Sequence, residues 1–164
     1  MRARIALALA VLFGTAALHA QSAADVQRQF IGNWRLVSFE QFDEKGAGRP
    51  SAYTGGRIMY DTAGHMAAQL TYSNRKPLST PSTEAERAAA YQSFLSYYAK
   101  YSIDPAAKTV THHVEGSTNP NWASSQINLV RWYEFSPDGN RLMLSTKNDA
   151  GRVTGTLTWE RIRQ

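Results

Sequence analysis

The stretch from Gly32 to Glu40 limits the possible folds most, because a Gly-x-Trp sequence runs directly into an apolar, β-type segment. A glycine lets the backbone bend sharply, and the large indole of Trp34 then stands at the start of a strand. A side chain of this size at this position suits a plug at one end of a small barrel. We therefore expect Trp34 to close a barrel whose later strands pack around it.

Seven more strand-like segments follow the first, which covers about residues 33–40. Each is rich in β-branched, aromatic or alternating apolar residues and is bounded by turn residues. They lie near residues 57–60, 65–70, 98–103, 109–115, 126–135, 141–147 and 153–161. Eight strands in consecutive hairpins predict an all-β fold, an eight-stranded up-and-down antiparallel barrel.

One helix of some length interrupts the strands. The pattern Thr83-x-x-Glu86 is typical of a capping box and predicts a helix to about Tyr97, between the third and fourth strands. We expect its apolar side to pack against the barrel wall, with a mobile lid as the alternative. That side consists of Ala88, Tyr91, Leu95 and Tyr98. A shorter helical turn is expected over residues 23–30.

The connection lengths indicate which end of the barrel is open. Those after the first, third and fifth strands are long, about ten to twenty-seven residues, whereas those after the second, fourth and sixth are about four or five. Successive loops of an up-and-down barrel alternate between its ends. The long connections should therefore share the end opposite Trp34 and form an open mouth.

Residues 1–20 have the pattern of an export signal, so residues 21–164 form the barrel domain. Arg2 and Arg4 make a basic region, an apolar run follows from Ile5 to Leu18, and Ala20 supplies a small residue before cleavage. The apolar run of about 14 residues is shorter than the roughly 20 that span a bilayer. We expect a periplasmic or secreted protein that is not inserted in the membrane once the signal is removed.

Composition excludes several classes of function. The 164 residues contain no cysteine, which rules out disulfides and thiol chemistry. The formal net charge of +5 comes from single Lys and Arg residues scattered along the chain, so we expect no nucleic-acid partner. The sequence does not indicate an oligomeric state.

Strand alternation places His112 and Arg131 on inward faces. His112 lies between Val110 and Val114 on the apolar face of its strand, and Arg131 is in register with the apolar set of the next strand. We expect the two side chains to lie nearly opposite each other, with the guanidinium keeping His112 neutral. The neighbouring His113 faces the other way, so the pair cannot chelate a metal together, and we expect neither a metal site nor a cofactor.

An ordered set of motifs resembles the lipocalin-like domain family of bacteria and fungi over about residues 30–161. The motifs are Gly32-x-Trp34-Arg35-Leu36-Val37-Ser38, Tyr60-x-x-x-Gly64-His65-Met66, Val110-Thr111-His112-His113-Val114-Glu115-Gly116-Ser117, Asn119-Pro120-x-Trp122, Arg141-Leu142-x-Leu144-Ser145-Thr146 and Leu157-x-Trp159-Glu160-Arg161. The resemblance implies a calycin-type barrel with an internal cavity but no settled activity. Because lipocalins place a C-terminal arginine across the Gly-x-Trp indole, it also implies that Arg161 stacks on Trp34.

The leading hypothesis is an exported barrel that holds one small apolar or amphipathic molecule in its cavity. The candidate ligand-binding residues are His112, Arg131, Tyr60, Tyr133, Trp122 and Met66. One alternative is a cofactor-independent isomerase or cyclase, with His112 as acid or base and Arg131 steadying an oxyanion. Another is a structural barrel whose interior is filled by side chains.

Overall fold

A computed structural model describes residues 22–163; the export signal predicted at residues 1–20 lies outside this range. The strands are β1 (Gly32–Phe42), β2 (Gly48–Pro50), β3 (Tyr53–Tyr60), β4 (His65–Tyr72), β5 (Phe94–Asp104), β6 (Thr109–Ser117), β7 (Asn128–Phe135), β8 (Arg141–Lys147) and β9 (Val153–Arg161). The helices are α1 (Ala23–Phe30), α2 (Glu84–Gln92) and α3 (Pro120–Ser124).

Eight of these strands form a closed, up-and-down antiparallel barrel, which confirms the predicted fold class. Each barrel strand pairs with its neighbour in the chain, and β1 also pairs with β9 to close the sheet. The short β2 is an addition that the sequence did not indicate. It pairs with the far end of β1, over Glu40 to Phe42.

Helix α2 begins as predicted but ends early. The Thr83 hydroxyl accepts the Glu86 amide proton, and the Glu86 carboxylate accepts from the Thr83 amide at 2.7 Å, which completes the capping box. The helix ends at Gln92 rather than near Tyr97. The helix lies between β4 and β5 rather than directly after a third strand of the chain, because the additional β2 raises the count by one. Among the eight barrel strands, β4 is the third.

The expectation that α2 packs its apolar side against the barrel is wrong. Leu95 and Tyr98 belong to β5, whose first residue, Phe94, pairs with Thr71 of β4. No residue of α2 is buried, and Tyr91 is 54% exposed. From Phe94 onward the chain therefore forms a strand that is hydrogen-bonded to β4, although the helical pattern of the sequence continues there.

The end of the barrel next to α1 is closed by Trp34. Its ring is fully buried, and its indole nitrogen donates a hydrogen bond to the carbonyl of Phe30 at 2.8 Å. Phe30 is itself fully buried and packs edge-on against Tyr60. Gly32, between them in the chain, has a φ of +124°, a conformation open mainly to glycine.

The other end carries the longest connections, at residues 43–52, 73–93 and 118–127. The turns at 61–64, 105–108 and 136–140 lie at the closed end with α1, because antiparallel hairpins alternate between the two ends. The long connections therefore share the end opposite Trp34, as expected, and we call this end the mouth. Helices α2 and α3 both lie at this mouth.

Candidate functional site

A histidine held between two tyrosines lies inside the barrel. His112 is at the middle of β6 and is fully buried. Its Nε2 is 2.9 Å from the hydroxyl of Tyr60, and its Nδ1 is 3.0 Å from the hydroxyl of Tyr97. Both tyrosines are buried, so three strands contribute one continuous hydrogen-bonded cluster to the interior.

Burial keeps every member of this cluster uncharged. The pKa of His112 lies well below its ordinary value, chiefly through burial and secondly through the charge of Arg131. His112 is therefore neutral, as expected from the sequence, although burial is the larger cause. Burial also raises the pKa of Tyr60 and of Tyr97. All three groups exchange hydrogen bonds as neutral donors and acceptors.

Tyr97 is the member of the cluster that sequence analysis missed. The helical pattern after Glu84 placed it at a helix end, whereas it lies on β5, three residues from the strand's start at the mouth. Its ring packs edge-on against Trp122 of α3, with the ring centres 5.7 Å apart. The run of aromatic residues from Phe94 to Tyr101 is the strand signal that could have identified it.

Arg131 lies on the inner face of β7, displaced by two residues from the expected position. Val110 is its register partner, while His112 faces Leu129. The two-residue shift keeps the alternation, so Arg131 and His112 share a face and lie diagonally across it. The positive charge of Arg131 disfavours protonation of His112 and partly offsets the burial that raises the pKa values of Tyr60 and Tyr97.

The remaining candidate residues occupy different levels of the barrel. Trp122 is half-buried at the mouth. Met66 is buried on β4 as the register partner of Tyr60. Tyr133 is half-buried near the closed end, where its ring centre lies 5.2 Å from that of Phe30. The structure thus brings His112, Tyr60 and Arg131 together and places Tyr133 with the aromatic residues below α1.

Trp159 has a buried donor with no partner. Its side chain is 1% exposed on β9, where its register partners are Leu36 and Leu142. Among the buried side-chain nitrogen and oxygen atoms of residues 22–163, its indole nitrogen is the one without a hydrogen-bond partner. A buried donor of this kind costs free energy until an acceptor reaches it.

Three clefts of about 440 to 560 Å³ lie around the barrel. One is beside the glycine pair Gly55 and Gly56, and the other two are next to α1 at the closed end. None of these three is lined by His112, Arg131 or Trp122. Over residues 22–163, no three His, Cys, Asp or Glu side chains gather as metal ligands, and no helix has the length and hydrophobicity to cross a membrane.

These features define a closed eight-stranded barrel with one end plugged by a helix and a tryptophan, and with a polar cluster inside. A family model described as a lipocalin-like domain matches residues 31–162. The chain belongs to this lipocalin-like domain family. Among solved structures, it is similar to a redesigned β-barrel, at 9% identity and a TM-score of 0.41, over 84% of this chain and 95% of that one. A comparison with curated proteins finds no match.

Proposed function

We propose that the protein is an exported barrel that binds one small, mostly apolar molecule with an anionic or carbonyl group at Arg131. The observation that carries this proposal is an inward-facing cation with no carboxylate partner. Arg131 donates one hydrogen bond to the carbonyl of Val130 at 3.0 Å. It is in none of the ion pairs formed among residues 22–163.

An arginine on the inner face that lacks a carboxylate partner favours an anionic or strongly polar oxygen nearby. Arginine presents a planar fork that matches a carboxylate in two parallel hydrogen bonds. The unpartnered indole donor of Trp159 supports the same chemistry, because it too would be satisfied by an oxygen acceptor inside the barrel. Both donors favour a ligand that brings acceptors with it.

The rest of the interior favours an apolar body. The walls around the polar cluster are aliphatic and aromatic, and an eight-stranded barrel encloses about one small ligand. The buried side chains of these walls include Leu36, Ile58, Met66, Leu70, Val110, Val114, Leu129, Leu144 and Leu157. Access would be through the mouth, where Trp122 of α3 covers Tyr97.

The two alternative functions make different demands on the interior. An isomerase that uses His112 as acid or base needs a free ring nitrogen, and here both nitrogens already contact tyrosine hydroxyls. A filled structural barrel needs no ligand and leaves Arg131 to be stabilised by solvent. We favour ligand binding because it also provides partners for Arg131 and Trp159.

Native mass spectrometry of the protein purified from its own host tests the proposal. We expect a bound molecule of constant mass on the wild-type protein, and its loss from Arg131→Leu. Arg141→Leu removes an exposed arginine from β8 and should keep the ligand. A wild-type protein that carries no ligand, and an Arg131→Leu variant that keeps the ligand fully, would each contradict the proposal.

Export is the second part of the proposal. It is supported by the basic and apolar segments ahead of Gln21, and α1 begins at Ala23, shortly after the expected cleavage point. N-terminal sequencing of protein collected outside the cytoplasm should give a first residue near Gln21. Recovery of exported protein with Met1 intact would refute the cleavage.

A further inference from the structure

Hydrogen-bond accounting within the buried cluster identifies a specific donor for the ligand. A neutral imidazole has one N–H and one lone pair, so His112 donates at one ring nitrogen and accepts at the other. One tyrosine therefore donates its hydroxyl proton to the ring, and the other accepts from it. The accepting tyrosine keeps its own O–H proton for a further partner.

The surroundings of the two tyrosines differ. Tyr60 is 3% exposed, and its ring lies edge-on against Phe30 at 5.0 Å and Tyr101 at 5.1 Å. Its hydroxyl has no hydrogen-bond partner other than His112 among the described residues. A leftover O–H proton at Tyr60 would thus remain unsatisfied among aromatic rings, which costs free energy.

Tyr97 lies nearer the mouth than Tyr60, which is the last residue of β3 at the closed end. It is 8% exposed and lies on the part of β5 nearest the mouth, against Trp122 of α3. A ligand that enters from the mouth would therefore reach the level of Tyr97 before that of Tyr60. Arg131 is on the same inner face as His112, to which Tyr97 is hydrogen-bonded, so a ligand bound by Arg131 would share the interior with this hydroxyl.

We infer that Tyr60 donates to Nε2 of His112, that the Nδ1–H of His112 donates to Tyr97, and that the Tyr97 hydroxyl proton donates to a ligand oxygen. His112 then acts as a positioning residue, which fixes the orientation of the Tyr97 hydroxyl without touching the ligand. The ligand contact of Tyr97 rests on the proposed function, whereas the tautomer of His112 depends only on the protein.

The tautomer is measured directly in the ligand-free protein. A long-range proton–nitrogen NMR spectrum of isotope-labelled protein near neutral pH distinguishes a protonated from an unprotonated ring nitrogen. Spectra of His65→Gln and His113→Gln assign the remaining signals. We expect Nδ1 of His112 to carry the proton. A proton on Nε2, or a doubly protonated ring, would overturn the inference.

The donor is tested with anilinonaphthalene sulfonate, a fluorescent apolar molecule that carries an anionic acceptor. Tyr97→Phe should weaken its binding about tenfold, as expected for the loss of one hydrogen bond to a charged group. Tyr98→Phe is the matched control, because Tyr98 is the next residue and is 58% exposed; it should bind as the wild type does. Equal binding by wild type and Tyr97→Phe would overturn the role of Tyr97.

The two measurements separate the inference from the proposed function. If the proton is on Nδ1 but the wild-type protein binds no ligand by native mass spectrometry, the proposed function fails and the tautomer stands. If ligand binds and depends on Arg131 while Nε2 carries the proton, the proposed function stands and this inference fails.

Discussion

The guanidinium carbon of Arg161 lies 4.0 Å from the centre of the Trp34 ring, so the first and last barrel strands meet in a cation–π contact. The same guanidinium donates to the carbonyls of Gly139, Gln29 and Ile31, at 3.1, 2.6 and 2.8 Å. Two of these carbonyls are at the C-terminal end of α1, where a cation also complements the helix dipole. Arg161 therefore fastens the helical plug as well as covering the indole.

Truncation of Trp34 should be among the most damaging single changes. Trp34→Ala removes a fully buried aromatic side chain and leaves a cavity, which we expect to cost roughly 3–5 kcal/mol of unfolding free energy. Urea denaturation measures the loss. Trp132→Ala is the control, because Trp132 is only partly buried and lies under Lys147. Equal losses in the two variants would contradict the assigned closing role.

Arg161→Ala should cost about 2–3 kcal/mol, because the change removes charge-assisted hydrogen bonds to three carbonyls together with the cation–π contact. Hydrogen exchange should show α1 opening more readily than the barrel strands. Arg163→Ala, two residues away and exposed, should be nearly neutral. An Arg161→Ala variant with the unfolding free energy of the wild type would mean that the contact is not stabilising.

The protein should become less stable as the pH is lowered below 6.5, partly because of His112. Its pKa is depressed in the folded state, so below pH 6.5 the unfolded chain takes up a proton that the folded chain refuses. The unfolding free energy then decreases with falling pH, by at most about 1.4 kcal/mol per pH unit. His112→Gln should lose this component in pH-dependent denaturation, while His113→Gln should keep it. An unchanged slope in His112→Gln would contradict the buried, neutral state.

The capping box of α2 should lose its stabilising effect in acid, when the Glu86 carboxylate is protonated. The pKa of Glu86 is lowered from 4.5 to about 2 by hydrogen bonds from Ser79 and Thr83. The depressed pKa means that the stabilisation is complete above pH 4.5 and is lost as pH falls through about 2. The protection of α2 amides, measured relative to their intrinsic exchange rates at each pH, should fall over that range in the wild type but change little in Glu86→Gln. Glu84→Gln should behave as the wild type does.

The barrel could be predicted from sequence because alternation and turn residues are local signals. Each strand needed only its own residues. The Trp34–Arg161 contact was implied by the resemblance to lipocalins, together with the barrel end that the two strands share. The capping box at Thr83 was equally local. These features depend on hydrogen bonds or faces that a few neighbouring residues determine.

Register and helix ends could not be predicted because they depend on partners distant in the chain. Arg131 lies opposite Val110 rather than His112, because the register is fixed by the pairing of β6 with β7 and not by the residues of either strand alone. Tyr97 was assigned to a helix because the helical spacing after Glu84 continues to it, and the pairing of β5 with β4 cannot be inferred from neighbouring residues. The central tyrosine–histidine cluster was missed for this reason, although two of its three members were candidates.

The most direct test of ligand binding at Arg131 compares two probes that differ by one charge. Anilinonaphthalene sulfonate has an apolar body and an anionic group, and phenylnaphthylamine is its uncharged counterpart. We measure the affinity of both by fluorescence titration for the wild type, Arg131→Leu and the control Arg141→Leu.

The account predicts that Arg131→Leu weakens the sulfonate probe by about 1.5–3 kcal/mol and leaves the uncharged probe nearly unchanged, while Arg141→Leu affects neither. Thermal denaturation of each variant checks that the barrel remains folded. Equal affinities of wild type and Arg131→Leu for the sulfonate probe would contradict an interior anion site and favour the filled barrel.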